Sequence, residues 1–583
     1  MAFSDLPLVH VPVPKPQNAD VAVDLARALG MSKTAATILL QRGLRDPELA
    51  RRFLDPRLSQ LTPPDSMADR DLAAQRLARA VRARERICVF GDYDCDGITS
   101  AAILTHALRV LGSEVTVILA NRFDGGYGVS LPAVNRIRAE RPSLLVTCDC
   151  GSSDAENLGD LGVSGIESIV IDHHLVPSDP LPAVAFLNPH RSDCGFAYKN
   201  LASCGLALSV VAALRTELKA SLDLRSYLDL VAIGTIADVA PLDGDNRILV
   251  RAGLQRISEG ARPGLRALLQ RARIELNVPI TGEDVAFRLA PRLNAPGRLA
   301  SPEASLQLLL AEDESSAQQL ADEIERFQTE RRRLQEIMFA EAIEEIESQD
   351  WQSNAGIVVG RDSWSSGIVG ILAGKLAEHY RRPVIAIGFD GDLGHGSVRG
   401  PKGIPLYDVL AGLSDCLARF GGHQAAAGLD VQRAQVDVLR ARFISACSPY
   451  SESRNPSSGA DGGAALTIDP QDNIRQVARD MTQFEPCGEG NRLPQLFASG
   501  KLVRARAVRG GHLQLEVEVS NGQMLRAFGF GLGPSANELS GVVGITGTMR
   551  VSQYRSEKRA EMRIERLSVG ADNPGSEAAD LTL

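Results

Sequence analysis

No run of about 20 uncharged apolar residues, the length that crosses a bilayer, occurs anywhere in the 583 residues. A membrane-spanning helix is therefore excluded, and the N-terminus also lacks the basic-then-apolar pattern of an export leader. Cysteine is sparse: there are nine, and none is spaced Cys-x-x-Cys. That leaves no disulfide framework and fits a reduced cytoplasm. A basic surplus is missing too, since 63 Lys and Arg face 72 Asp and Glu for a formal net charge of −9. The balance argues against an all-over basic surface, but net charge is a poor guide to a local groove. What is present is ordinary for a soluble globular protein, with 44% hydrophobic and 23% charged residues. The length suggests roughly three or four domains.

One acidic stretch stands out. Cys88 to Phe90 is apolar, and Gly91-Asp92-Tyr93-Asp94-Cys95-Asp96-Gly97-Ile98-Thr99-Ser100 follows directly. Asp92, Asp94 and Asp96 occupy every second position, a spacing that puts them on one side of an extended chain. Carboxylates this close repel unless protons or cations neutralise them. Hard oxygen ligands suit Mg²⁺ and Mn²⁺. Calcium in an EF-hand is excluded, because the twelfth residue from Asp92 is Ile103 rather than Glu and the preceding segment is strand-like.

Other short apolar runs also end in chemically loaded residues. Thr116 to Leu119 leads to Asn121-Arg122-Phe123, Leu144 to Thr147 to Asp149, Ser168 to Ile171 to Asp172-His173-His174, and Leu230 to Ile236 to Asp238. Helix-like stretches between some of them, such as Ala101 to Leu111, predict βαβ units and a parallel sheet. Ligands bind beyond the carboxyl ends of such strands, so these residues are expected to share one crevice.

Asp172-His173-His174 together with the opening acids resembles the DHH phosphoesterase superfamily and, within it, the RecJ family of single-strand-specific exonucleases. Supporting motifs follow in order: Asn121-Arg122-Phe123-Asp124-Gly125-Gly126-Tyr127-Gly128, Asp149, and Gly234-Thr235-Ile236-Ala237-Asp238-Val239-Ala240-Pro241-Leu242. Arg292 to Leu299, Gly396-Ser397-Val398-Arg399 and Phe420-Gly421-Gly422-His423 resemble the signatures before and within the associated DHHA1 domain.

The resemblance implies a catalytic set of Asp92, Asp94, Asp96, Asp149, His173, His174 and Asp238. In it Asp94, Asp96, Asp149, His173 and Asp238 hold two divalent cations, with Asp149 as the bridge. Asp92 is either a ligand or a supporting carboxylate. His174 contacts the scissile phosphate or orients a ligand. An imidazole among carboxylates favours Mn²⁺, with Mg²⁺ as the alternative. Ser397 and Arg399 offer a hydroxyl, backbone amides and a guanidinium to a phosphate, and Gly422 and His423 add close approach and a donor. Arg122 and Arg298 join the phosphate clamp by family position. Tyr127 is either a base-stacking platform or ordinary packing.

The expected architecture is α/β, in seven parts. These are an N-terminal lead-in (1–69), a parallel-sheet DHH domain (70–310), a connecting helix (311–348), an α/β DHHA1 domain (352–449), a linker (450–463), an antiparallel C-terminal barrel of OB type that binds single strands (464–569), and a disordered tail (570–583). The basic runs Arg76 to Arg86, Arg331-Arg332-Arg333 and Arg504 to Arg509 have a solvated face as their bland reading, preferred for Arg331 to Arg333. Cys150, Ser365, Gly400 and Arg492 depart from the family pattern without removing a proposed ligand.

The implied activity is 5′→3′ hydrolysis of single-stranded DNA to mononucleotides in repair and recombination, by a cytoplasmic monomer with no membrane contact. Single-strand-binding protein and a RecQ-type helicase are the implied partners. Two rivals share the motifs: a DHH phosphodiesterase for short oligonucleotides or cyclic dinucleotides, and a non-catalytic RecJ-like scaffold. Chain length and the C-terminal barrel argue against the first, the full ligand set against the second.

Overall fold

The computed structural model describes residues 19–423, 426–450, 465–554, 557–569 and 579–582. Almost all of the expected linker lies outside them, as does most of the expected tail. The chain forms two units, Thr62–Ala240 with Ala252–Asn455, and Met1–Leu61 with Pro241–Arg251 and Pro456–Leu583.

The first unit opens on five parallel strands: β1 (Ile87–Gly91), β2 (Val115–Leu119), β3 (Leu144–Cys148), β4 (Glu167–Ile171) and β5 (Ala185–Leu187), in the order β2-β1-β3-β4-β5. Helices Cys95–Val110, Leu131–Glu140 and Ala155–Val163 provide the crossovers. Parallel sheets are covered on both faces and so read as unbroken apolar runs; β1 and β3 are buried at every residue. The segment 230–236 reads as another such run, but it lies in a helix, Leu228–Ala237, buried from Leu228 through Ile236. A helix with no polar face loses the 3.6-residue signature, so periodicity cannot separate it from a buried strand.

Asp313 caps a 35-residue helix, Glu314–Ser348, by accepting from the Ser316 amide at 2.9 Å. It leads to a second sheet of β6 (Ile357–Arg361), β7 (Val384–Asp390), β8 (Leu393–Arg399), β9 (Arg419–His423) and β10 (Ala426–Gln432), ordered β6-β7-β8-β10-β9. Only the β6–β7 pair is parallel.

The second unit holds the barrel. Beside a short β11 (Leu466–Thr467) run β12 (Leu496–Val508), β13 (His512–Val519), β14 (Met524–Gly529), β15 (Val542–Tyr554) and β16 (Glu557–Val569). The path β12-β13-β14-β16-β15 closes where β15 pairs with β12. Around that closed path one pair, β14–β16, is parallel rather than antiparallel, and the short β11 also pairs with β12 in parallel. The chain leaves β14 by a long connection and returns through the β15–β16 hairpin, so β16 arrives running in the direction of β14. The tail expected to be disordered includes β17 (Ala579–Thr582), which pairs with the end of β16 beyond the residues that β14 covers.

The N-terminal lead-in holds three helices that join the core of this unit. Helices Ala19–Leu29, Lys33–Gln41 and Pro47–Leu54 contribute Leu25, Ala35 and Leu39, among others, to the same core as Leu513, Leu515, Val543 and Ile545. Asp480 accepts from the Ser32 amide (2.7 Å) and hydroxyl (2.6 Å). Asp472 accepts from the amides of Lys33 (3.0 Å) and Thr34 (2.8 Å). Two carboxylates thus satisfy the orphan donors and complement the positive end of the helix Lys33–Gln41.

The guanidinium of Arg247 is the other anchor of this unit. It is buried, lies 3.9 Å from the Phe53 ring centroid, and donates to five main-chain carbonyls, those of Phe53, Gln483, Phe484, Glu485 and Pro486, at 2.9–3.4 Å.

Candidate metal centre

The acids following β1 do not lie along an extended chain. Asp94 is the N-cap of the helix Cys95–Val110, accepting from the amides of Asp96 (2.9 Å) and Gly97 (3.2 Å). Aspartate at an N-cap starts a helix, so Asp96 falls in the first turn while Asp92 stays in the preceding loop. Gly97 is required there, because a Cβ would lie 2.6 Å from the Asp92 backbone nitrogen and oxygen. A Cβ at Gly234 would likewise come within 2.8 Å of Asp96 Oδ1, so glycine lets the helix Leu228–Ala237 approach and deliver Asp238 from its end.

Asp149, held in the left-handed region at φ 64°, directly follows β3, and Asp172-His173-His174 directly follows β4. The sheet thereby gathers its site residues beyond the carboxyl ends of its three central strands. His173 Nε2 is 3.2 Å from Asp149 Oδ1, 3.8 Å from Asp238 Oδ2 and 3.9 Å from Asp96 Oδ2. Three overlapping groups place their ligand atoms within 4.8 Å of one another: Asp96, His173 and Asp238; Asp92, Asp94 and Asp149; and Asp149, His173 and His174.

The electrostatics follow from this crowding. Burial, then the charges of Asp96, Asp94, Asp92 and Asp238, push the Asp149 carboxyl well above its usual range. Burial and Asp94 do the same to Asp92. Asp238 is raised to about 8 by burial, Asp96 and Asp94. Asp96 is raised by burial and partly relieved by His173. Burial, with the neighbouring His174, lowers His173, favouring the neutral imidazole that ligates metals. His173 Nε2 and Asp92 Oδ1 are both buried without a hydrogen-bond partner. A cluster of acids that charge repulsion and burial disfavour, with an imidazole nitrogen and a carboxylate oxygen left unpaired inside it, fits divalent cations.

Asp172 has another role. Its Oδ1 accepts from the amides of His173 (2.8 Å) and His174 (3.2 Å) and meets His174 Nδ1 at 2.7 Å, while Oδ2 takes the Ser152 amide at 3.0 Å. Burial works to raise its pKa, but His174 and Ser152 outweigh it and bring it down to about 2. Burial similarly opposes charge on His174, yet Asp172, Asp238 and Asp94 raise it to about 9. The Tyr127 hydroxyl lies 3.1 Å from His174 Nδ1 and donates to the Asp149 carbonyl at 3.2 Å, and the residue stays 44% exposed.

The arginine candidates lie within electrostatic reach of one another. Arg122 stacks 4.3 Å over the Tyr93 ring, and its charge acts on both Arg298 and Arg399. Arg298 donates to the Gly367 carbonyl at 3.3 Å. Arg399 donates to Ser397 Oγ and the Val398 carbonyl, each at 2.8 Å. Gly422 pairs with Ala427 across β9 and β10; His423 ends β9 and pairs with Ala426. Cys150 spends its thiol on the Cys148 carbonyl at 3.5 Å.

Several contributors carried no side-chain signature in the sequence. The helix Ser203–Leu218 aims its first amides at Asp96, Ser203 at 2.7 Å and Cys204 at 2.9 Å, a positive helix end against a buried carboxylate. Ser203 Oγ also donates to Asp149 at 3.1 Å. Asn188 donates to the His174 carbonyl at 2.8 Å. Arg331, grouped by sequence with a solvated run, is buried; Arg332 and Arg333 are exposed as expected.

Three family models match the chain: the DHH family N-terminal domain over residues 86–235, the DHHA1 domain over 354–448 and the RecJ OB domain over 465–566. The single-stranded-DNA-specific exonuclease RecJ of Bacillus subtilis (strain 168) is 32% identical over 562 residues, covering 95% of this chain and 70% of that protein. Its namesake from Escherichia coli (strain K12) is 33% identical over 550 residues, covering 90% of this chain and 94% of that one. The crystal structure of RecJ in complex with Mn²⁺ from Thermus thermophilus superposes with a TM-score of 0.79 at 30% identity, covering 96% of this chain and 78% of that chain. The Mg²⁺ complex of RecJ from the same organism gives 0.73 at 29% identity, covering 96% and 77%.

Proposed function

Because the chain belongs to the RecJ family of DHH phosphoesterases, we infer that it is a metal-dependent exonuclease specific for single-stranded DNA, releasing 5′-mononucleotides in the 5′→3′ direction. The observation that carries this reading is the buried acid–histidine cluster with its unpaired His173 Nε2 and Asp92 Oδ1.

Two cation positions are the proposal. One is held by Asp96, His173 and Asp238, the other by Asp92, Asp94 and Asp149, with Asp149 shared between them. This assigns Asp92 as a ligand, which its sequence position left open. Bound divalent cations supply water activation and neutralise charge on the phosphoryl oxygens. The imidazole in the set supports Mn²⁺ over Mg²⁺. The protein's own groups do the remaining work. Asp172, 2.7 Å from His174 Nδ1, orients the imidazole toward the scissile phosphate. Arg122, Arg399, Ser397 and Arg298 grip phosphate, with Gly422 and His423 beside them. Tyr127, its hydroxyl already engaged, offers its ring to a base.

Arg122 and Arg399, as candidates to hold a terminal 5′ phosphate beside the acids, support the polarity. Single strands have to be generated from duplex, which supports single-strand-binding protein and a RecQ-type helicase as partners. Nine free thiols support a reducing, cytoplasmic setting.

The test is degradation of 5′- and 3′-end-labelled single- and double-stranded DNA with Mn²⁺, Mg²⁺ or EDTA. Single strands are expected to be consumed, with early release of the 5′ label as mononucleotide and complete loss of activity in EDTA. Preference for duplex, or early release of the 3′ label, sinks the reading. Asp172→Asn is expected to lower the initial rate about 10- to 100-fold, the usual cost of losing a group that orients a metal-site residue. A rate equal to wild type would mean His174 needs no carboxylate behind it.

A further inference from the structure

Helix Glu314–Ser348 turns an unusual pair of residues inward. Between the apolar positions Ile324 and Met338, its buried face carries Gln328 and Arg331, 1% and 8% exposed. Arg331 Nε donates to Gln328 Oε1 at 3.0 Å and Nη1 to Gln335 Oε1 at 3.3 Å. Among the described residues no carboxylate lies within ion-pair distance of it. Its neighbours differ: Arg292 pairs with Glu325, Arg271 with Asp322 and Arg333 with Glu330. Gln328 Nε2 is a buried donor with no partner.

Taking a guanidinium out of water against two neutral amide oxygens is poorly compensated, because the strong hydrogen bonds of arginine are those to anions. The short helix Ala295–Leu299, which carries Arg298, packs against Glu314–Ser348, and the charge of Arg331 acts on Arg298 after burial and Arg122. One unpaired donor, Gln328 Nε2, and a buried guanidinium with no counter-ion therefore lie on the helix packed against the segment of an arginine already assigned to the phosphate clamp.

We propose that Arg331 and Gln328, with Arg298, form a further anion subsite, and that its ligand is an internal phosphodiester of the bound single strand. The proposal deepens the single-strand nuclease reading and rests on it. The terminal phosphate has its own candidates in Arg122, Ser397 and Arg399. A buried arginine with no protein counter-ion is suited to a strand that brings the missing charge with it.

The test compares the full-length wild type with Arg331→Met, which keeps much of the stem and removes the charge. Binding of an oligo(dT) strand is measured in EDTA, without cleavage, across a salt series. The dissociation constant of the variant is expected to rise roughly 10- to 100-fold. The slope of log K against log salt is expected to fall by about 0.7, the signature of one lost phosphate contact on a single strand. Thermal unfolding should match or exceed wild type, since an uncompensated buried charge is gone. Inhibition by the mononucleotide dTMP should stay as in wild type.

An unchanged salt slope overturns the subsite. So does a large loss of melting temperature with binding retained in the folded fraction, which would make Arg331 a structural residue. A matching loss of dTMP inhibition would move the contact to the terminal nucleotide and overturn the internal assignment. Failure of the wild type itself to bind single strands would instead defeat the nuclease reading, so the two failures are distinguishable.

Discussion

Asp149→Ala is expected to lower hydrolysis of single-stranded DNA by about 10³-fold or more while leaving the fold intact. Asp149 is the acid common to two of the three ligand groups, and its Oδ1 lies 3.2 Å from His173 Nε2. Its loss weakens both proposed cation positions at once. Water activation and charge stabilisation by bound cations are worth several kcal/mol in the transition state, and each ~1.36 kcal/mol is tenfold in rate. Stability should move the other way. Asp149 is buried among like charges that push its carboxyl well above the usual range, so metal-free Asp149→Ala should unfold in chelator at the wild-type temperature or higher. Initial rates on an end-labelled strand and a thermal scan in EDTA settle both halves. A rate within tenfold of wild type would remove Asp149 from the centre of the site.

Arg247→Ala is expected to have the largest effect on stability, about 3–5 kcal/mol. The residue is 3% exposed, so solvent cannot replace what it does. It donates to the carbonyls of Phe53, Gln483, Phe484, Glu485 and Pro486, and truncation would leave those acceptors short of a donor in a buried place. Hydrogen bonds to a charged group contribute roughly 1.5–3 kcal/mol each when singly removed, and five on one guanidinium are far from additive, which keeps the total in that range. Lysine is not expected to rescue, because a point ammonium cannot serve a fork of acceptors or stack on Phe53. Urea unfolding followed for the unit containing the barrel gives the number. A midpoint unchanged for Arg247→Ala would show that the carbonyls find other donors.

The candidate acids are legible in the sequence because their chemistry is sharp and most of them follow an apolar run. The parallel sheet is legible for the same reason, as β1, β3 and β4 are apolar segments with helices between them. Partners supplied by the backbone are not. The amides of Ser203 and Cys204 that hold Asp96 have no side-chain signature. Asp480 caps Ser32 from 448 residues away in sequence, so the N-terminal helices look like a lead-in when their other half lies at the far end of the chain. Arg331 reads with its neighbours as a charge run, but helical periodicity turns only every third or fourth residue inward, and Arg331 is the one that turns. The segment 230–236 passes for a strand because complete burial erases the difference between a helix and a strand.

The positions of Asp92, Asp149, His173 and Asp238 also carry a kinetic meaning. They are contributed by separate strands and a helix, so no local fragment can build the cluster. The chain has to close several long loops first, which is the slow, entropically costly part of assembling a parallel sheet. Cations that recognise only the finished arrangement would then act as a latch on it. At a free concentration about 100 times the dissociation constant, such a ligand deepens the native well by about 2.7 kcal/mol. Occupancy of the site would therefore report that the whole sheet has been completed, and withdrawing the cations would return the stored repulsion of the acids to the fold.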